Sequence, residues 1–568
     1  MADFSFVEDV ELQKLNAQVL EEPEEFEHWD KLVRAAEAQE GGLSRNSSPP
    51  AIQATRDTYD RLLARFPLFF GYWKKYADLE FVVAGTEAAE MVYERGIASI
   101  GISVDLWLNY CGFMVETTHD IDVIRVLFER GAESVGLDFL AHPFWDKYLE
   151  FEERLDGHDK VFEILKRIIY IPMHQYARYF QRYREMAQNR SILELASAED
   201  LFMMRREVIG ENGVSQKSEM VIEQEVRALV DELHLQVFKR TQEETTKRWT
   251  FEQEIKRPYY HVTDLDNLQL ANWRNYLDFE EAEGIYARTK FLYERCLVTA
   301  ANYDEFWIRY ARWMRRQSTP EDMQTSINGK ILEGVSSSTE RQSKQEEVRN
   351  IYSRGSCFYV PISRPAIRLY WAQYEESIDQ PVIAADIHDS ILQTLPDHLE
   401  TIVSLANLRR RQEGVDAAIA VLRVYLDSPD TTPPTRGALV AEWARLLSDI
   451  NGDHSAARQI YASNEHLYPD SRAFWLGRYF FEVKHGQFYH VAEVYTAIHT
   501  RTQLEDRTKR EVRRFYLVYL KERVPGGGAM GNVMARAMQV DMGETVDLAN
   551  ENGHVVSEDF AMAEAGLR

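Results

Sequence analysis

Leu270-Ala271-Asn272-Trp273-Arg274-Asn275-Tyr276-Leu277-Asp278-Phe279-Glu280, followed by Tyr293-Glu294-Arg295-Cys296-Leu297, decides how the rest of the chain is read. Trp273 and Tyr276 stand three residues apart, which puts both rings on one face of a helix; Glu280 falls two turns beyond the tryptophan on the same stripe. Tyr293 opens a second segment twenty residues after Trp273, with an aromatic, Glu, Arg and a small residue in order. The unit recurs on both sides. Trp73/Tyr76, Trp107/Tyr110 and Trp145/Tyr148 precede it, Trp307/Tyr310 and Trp371/Tyr374 follow it, and Trp475 anchors a further copy. Its second half returns as Tyr93-Glu94-Arg95-Gly96, Phe128-Glu129-Arg130-Gly131 and Tyr352-Ser353-Arg354-Gly355. An aromatic helix paired at near-constant distance with a second helix marks an all-α solenoid, in which each hairpin buries itself only against its neighbours.

A repeat array suits the length: 568 residues exceed what one compact core organises, while 45% apolar and 12% aromatic content supply a continuous interior. The formal charge of -26 excludes a surface that is basic throughout and favours protein partners over a broad nucleic-acid footprint. Cys111, Cys296 and Cys357 are widely spaced beside helical patterns, so they read as buried free thiols in a reducing compartment. The start, Met-Ala-Asp-Phe-Ser-Phe, has no basic, apolar leader pattern, and no run is long and apolar enough for a membrane span; cytosol or nucleus is expected.

Five regions follow. Residues 1–50 form an acidic segment with a first helix around Trp29 and Leu32. Residues 51–186 form an N-terminal array, and 187–262 a charged linker in which Leu229, Val230, Leu233 and Val237 recur at helical spacing. Residues 263–523 form a C-terminal array. Residues 524–568, opening Pro525-Gly526-Gly527-Gly528, read as a disordered acidic tail with a short recognition segment near 529–540. Tyr59, Ile164, His388 and Tyr461 each stand eight residues before a proline (Pro67, Pro172, Pro396, Pro469), which ends the helix and sets the next corner. Within the second array Tyr352 follows Trp307 by 45 residues, so 317–345 is expected to be an inserted polar loop.

Glu80, Glu152, Glu280 and Glu482 each lie seven residues after a repeat tryptophan. A carboxylate on a buried stripe needs a partner, and second-helix arginines such as Arg95, Arg130 and Arg295 are available. Because the arrangement recurs while an active site occurs once, it reads as structural. Signatures of phosphate-binding loops, zinc proteases and serine hydrolases are missing, so no catalytic, cofactor or metal residues are assigned.

Basic groups gather at Arg409-Arg410-Arg411, at Lys509, Arg510, Arg513 and Arg514, and at Arg309, Arg312, Arg315 and Arg316. They suit either solvated helix faces and helix C-termini or contact with RNA phosphates and acidic partner segments. On the last helix Val512, Phe515, Tyr516, Tyr519 and Leu520 form a stripe where an array needs a polar cap, so pairing with a second copy is expected; packing on the Phe474–Ile498 hairpin is the competing reading. Ser48-Pro49, Thr319-Pro320 and Thr432-Pro433 are weak candidate phosphate acceptors.

The hairpin pattern resembles the half-a-TPR (HAT) repeat of RNA-processing proteins. Arg257-Pro258-Tyr259-Tyr260-His261-Val262, the Leu270–Glu280 stretch, Tyr293–Leu297 and Asp304-Glu305-Phe306-Trp307-Ile308-Arg309-Tyr310-Ala311 resemble the pre-mRNA-processing factor 39 family in particular. The resemblance spans about 10–523. It implies two HAT arrays joined by a helical linker, and a nuclear, non-enzymatic scaffold of the U1 small nuclear ribonucleoprotein. It also implies dimerisation through the C-terminal array, with itself or a paralogue, and support of 5′ splice-site recognition through the particle's C subunit and 70-kilodalton subunit. The insertion and the acidic tail match no pattern of that family. The alternative is the related HAT scaffold of mRNA 3′-end cleavage and polyadenylation, which the 257–311 block disfavours.

Overall fold

The structure, a computed structural model, describes residues 10–209, 218–317, 338–523 and 537–540, and every regular element among them is helical. The chain divides into two compact units, Met1–Tyr310 and Ala311–Arg568.

In the first unit the order is α1 (Val10–Glu21), α2 (Phe26–Ala38), α3 (Pro49–Arg65), α4 (Phe70–Val83), α5 (Thr86–Ser99), α6 (Val104–Thr117), α7 (Ile121–Val135), α8 (His142–Arg154), α9 (His158–Ile168) and α10 (Tyr176–Ala187). Then come α11 (Ile192–Leu195), α12 (Ala198–Ile209), α13 (Glu219–Glu254), α14 (Asn267–Glu283) and α15 (Tyr286–Thr299), and α16 (Asp304–Gln317) crosses into the second unit. That unit continues with α17 (Ser338–Arg354), α18 (Ala366–Ser377), α19 (Pro381–Thr394), α20 (Leu399–Glu413), α21 (Val415–Asp427), α22 (Pro433–Arg445), α23 (His454–Asn464), α24 (Arg472–His485), α25 (Phe488–Thr500) and α26 (Asp506–Arg523).

The sequence sets the ends of these helices locally. Ser103 accepts a hydrogen bond from the Leu106 amide at 3.2 Å, and Asp266 accepts one from Gln269 at 2.8 Å, each satisfying a donor that the first turn leaves open. Gly85 and Gly414 sit at φ of 98° and 99° in the tight turns α4–α5 and α20–α21, where a side chain is disfavoured.

The 36-residue α13 is about 54 Å long by its rise per residue. Its buried face is Ile222, Val226, Val230, His234, Thr241, Thr245 and Arg248. The expected stripe is therefore rotated: Val230 is buried, whereas Leu229, Leu233 and Val237 are only half-buried flanks. Polar anchors explain the rotation. Arg227 donates to the last carbonyls of α10, His234 contacts the Leu195 carbonyl, and Thr241 donates to the Ile169 carbonyl at 2.9 Å.

The compact units part inside α16, whereas the arrays read from sequence divide at 262/263. The cause is that the end of α13 serves α14 as a second helix, and Arg295 on α15 reaches back to Asp138 at 3.2 Å. Helix α17 begins at Ser338, so the end of the expected 317–345 loop is helical; residues 318–337 lie outside the described residues. Of the tail, 537–540 is described and helical, with Ala537 and Val540 buried in the core that contains Val512 and Tyr516. The remainder of the tail lies outside the described residues.

Candidate interaction surfaces

The ring-bearing joints between hairpins share a recurring set of contacts. An aromatic ring on a second helix stacks on the tyrosine of the next first helix: Tyr59 on Tyr76 at 4.8 Å, Tyr93 on Tyr110 at 5.0 Å, Phe128 on Tyr148 at 4.6 Å and Tyr293 on Tyr310 at 4.7 Å. Phe251 of α13 does the same to Tyr276 at 4.9 Å. Three residues before Tyr59, Phe128, Phe251 and Tyr461 an arginine grips the buried glutamate of the next hairpin with two bonds. The pairs are Arg56–Glu80 (2.6 and 2.7 Å), Arg125–Glu152 (2.7 and 2.9 Å), Arg248–Glu280 (2.6 and 3.0 Å) and Arg458–Glu482 (2.8 and 2.8 Å). Bidentate geometry lets each carboxylate be buried at tolerable cost.

The indoles close the corners. Trp73, Trp107 and Trp307 donate Nε1–H to carbonyls six residues upstream at 2.9, 2.7 and 2.8 Å; Trp145 and Trp475 reach Gly136 and Tyr468 at 3.2 and 2.9 Å.

Arg95, Arg130 and Arg295 therefore do not hold the buried glutamates. They form a second, head-to-tail ladder with the acid that follows the preceding ring: Arg95 with Asp60 (2.8 Å), Arg130 with Glu94 (2.9 Å) and Arg295 with Glu252 (2.6 Å). The reason is position: one turn earlier on the second helix faces the next hairpin's core, whereas Arg95 and Arg130, two residues after the ring, lie exposed at the rim and Arg295 is buried beside Asp138. Burial opposes the charge of Arg295, yet the carboxylates of Asp138 and Glu252 more than offset it and keep the guanidinium's pKa above its ordinary value.

Trp371 is also out of register. Glu375, paired to Arg349 at 2.9 to 3.2 Å, places the anchor position at Arg368, whose guanidinium donates to the corner carbonyls of Ser356 and Val360. Trp371 is half-buried and donates to Glu375 at 3.0 Å, and Tyr374 is buried beside it. Arg56, Arg125, Arg248, Arg349 and Arg368 were not singled out from sequence. An arginine three residues before a second-helix ring is the signal that finds the first four.

The terminal stripe is occupied. Val512 and Tyr516 are fully buried, Leu520 is 1% and Tyr519 6% exposed. Phe515 packs on Phe480 at 5.2 Å, and Tyr516 stacks on Tyr495 at 4.1 Å. The premise of an open apolar edge fails for these residues, because α24, α25, Ala537 and Val540 cover them.

The basic groups divide. Arg411 is clamped bidentately to Glu376 at 2.5 and 2.7 Å, Arg409 pairs with Glu413 at 3.3 Å and Arg410 bonds Asn407 at 3.2 Å. Lys509 donates to the Thr502 carbonyl at 3.2 Å and Arg513 is half-buried, while Arg510 and Arg514 are exposed. Arg309 is tied to Asp278 and Glu281 at 2.5 and 2.8 Å, and Arg312 and Arg315 lie over Tyr370 and Tyr374.

Ser48 and Thr432 are helix N-caps, Thr432 also donating to Asp397 at 2.8 Å; Thr319 lies outside the described residues. Cys111 and Cys296 are buried free thiols whose pKa burial raises, but Cys357 is exposed, because it lies on the π turn that ends α17. Among the described residues no group of three or more His, Cys, Asp or Glu could hold a metal ion, and no helix is long and apolar enough to cross a membrane.

Helical hairpins joined through recurring contacts define a helical-repeat protein of the HAT class. Family models described as the PRP39 N-terminal HAT repeat and the PRP39 C-terminal HAT repeat match residues 13–185, and residues 246–331 and 335–411, respectively. The chain is 44% identical over 539 residues to Pre-mRNA-processing factor 39 of Schizosaccharomyces pombe, covering 91% of this chain and 84% of that protein. It is 32% identical over 432 residues to Pre-mRNA-processing factor 39 of Homo sapiens, covering 72% of this chain and 58% of that protein. A more distant relative, 23% identical over 319 residues, is the U1 small nuclear ribonucleoprotein component PRP42 of Saccharomyces cerevisiae, with 55% of this chain and 58% of that protein covered. The chain belongs to the PRP39 family of HAT-repeat proteins.

Proposed function

We propose that this chain is a nuclear pre-mRNA splicing factor associated with the U1 small nuclear ribonucleoprotein, and that it acts there as a non-enzymatic scaffold. The observation that carries the reading is the joint itself: the buried charges go into repeating pairs that fix one hairpin on the next, and what faces outward is contact surface. The relatives named as Pre-mRNA-processing factor 39 and as a U1 component support this reading. In it the scaffold supports 5′ splice-site recognition by holding the particle's C and 70-kilodalton subunits, and a second copy or a paralogue joins through faces of the C-terminal array other than the buried part of the α26 stripe. Exposed Arg510 and Arg514 are candidates for contact with an acidic partner or RNA. Affinity purification of the tagged full chain tests this. U1 RNA with U1 proteins should co-purify; recovery of polyadenylation factors without U1 RNA would overturn the reading.

A further inference from the structure

The block Arg257–Val262, the most distinctive stretch of the sequence, forms no part of any joint. Instead the chain leaving α13 folds against the start of α4. Tyr260 is buried there edge-on to Phe69, with ring centroids 5.0 Å apart. Arg257 donates to the Thr263 hydroxyl and carbonyl, both at 2.9 Å, and the Leu265 amide donates to the Tyr303 hydroxyl at 2.8 Å, so the loop is braced on both sides. Between loop and helix lies an open cleft of about 240 Å³, walled by Phe69, Tyr72, Tyr259 and Tyr260 and edged by Lys75 and His261. That is below the roughly 300 Å³ at which small-molecule sites begin. The size suits side chains of a bound strand better than a metabolite.

The edge of the cleft is rich in hydrogen-bond donors. The ammonium of Lys75 stands 5.1 Å from the Tyr72 ring centre. The Tyr259 side chain is 48% exposed and brings a phenol. His261 accepts the Thr263 amide at Nδ1 (3.1 Å), which leaves the proton of the neutral ring on Nε2. Asp30 accepts from the Tyr72 hydroxyl at 2.7 Å, and among the described residues no carboxylate lines the cleft. A strand that binds here gains most by offering flat apolar groups to ring faces and carbonyl acceptors to the rim. Consecutive prolines have that chemistry: apolar rings, free carbonyls, no N–H and a preformed extended helix. We infer that this cleft is a docking slot for a proline-rich strand of a protein partner. Bracing of the loop means that little ordering is lost on binding.

The test uses the full-length chain and a fluorescein-labelled all-proline decapeptide, read by fluorescence anisotropy. Saturable binding is expected, weakened at least about tenfold by Tyr259→Ala and by Lys75→Glu. Both side chains are exposed, so the circular dichroism melts should match the parent. Lys75→Met keeps the aliphatic stem and should weaken binding less than Lys75→Glu. A glycine-serine decapeptide should not bind. Absence of saturable binding, binding that Tyr259→Ala leaves intact, or equal affinity for a glutamate decapeptide would each overturn the assignment. None of these outcomes depends on whether U1 RNA co-purifies.

Discussion

Between Phe70 and Arg154 the joints are directional: stacked rings, an indole bonded to its own corner and, at Glu80 and Glu152, a buried carboxylate held by two guanidinium bonds. Between Leu399 and Arg445 the same hairpin is built from Ile402, Leu405, Leu408, Leu422 and Leu439, with no tryptophan at the anchor position. Where a ring pair is expected, His388 bonds the Ser404 hydroxyl at 2.8 Å. Volume and an apolar stripe are therefore sufficient for the fold. The polar part of the joint adds register, because hydrogen bonds fix position along a helix and aliphatic contact does not.

The largest effect should come from removing an anchor. Trp145→Ala should cost about 3–5 kcal/mol and Leu408→Ala nearer 2–3 kcal/mol. Hydrogen exchange should show the first loss spread over α7 to α9 and the second confined to α19–α21. Equal, equally local losses would break the contrast. Next, Glu280→Ala should cost about 3 kcal/mol in denaturant melts, because it removes two bonds from the buried Arg248 and leaves it Glu244 alone. Replacing both partners with Met and Leu should restore most of it, whereas a double variant as weak as the single would show that the pair itself is required.

A smaller change should appear with pH in the aliphatic segment. Burial pulls the pKa of His388 below the ordinary imidazole value, with Asp389, Glu376 and Arg411 around it. The folded ring stays neutral while the unfolded one takes a proton below about pH 6.5, so stability is full above that pH and declines as pH falls below it. Exchange protection of α19 and α20 should drop between about pH 7.5 and about pH 5.5, and His388→Gln should flatten the drop. The smallest effect belongs to the exposed Arg411–Glu376 clamp, where Arg411→Ala should cost under about 1 kcal/mol and vanish at high salt.

These differences also explain what the sequence disclosed. Trp73, Trp107, Trp145, Trp273, Trp307 and Trp475 were legible as anchors, because a large ring at helical spacing has few other uses. Trp371 misled for the same reason: a ring in the wrong register looks identical until Arg368 is seen bonding the corner. Arg95 and Arg295 stand in the conspicuous motif and so read as the glutamates' partners, while Arg56 and Arg248 are marked only by the ring three residues later. The α26 stripe was readable as apolar but not as covered, since Ala537 and Val540 are too small and too distant in sequence to announce themselves. No spacing rule revealed the cleft beside Tyr259, which depends on a loop returning across nearly two hundred residues to Phe69.

Helix α13 is fastened near its start by Arg227 and near its end by Arg248. Lengthening it by one residue between those points is a screw motion, about 100° of turn with about 1.5 Å of advance, and it would aim Phe251 away from Tyr276. Seven added residues would nearly restore the angle but shift the fastening by about 10 Å. Natural length variation in this family should therefore avoid the stretch from Arg227 to Arg248 and collect in the corners between helices.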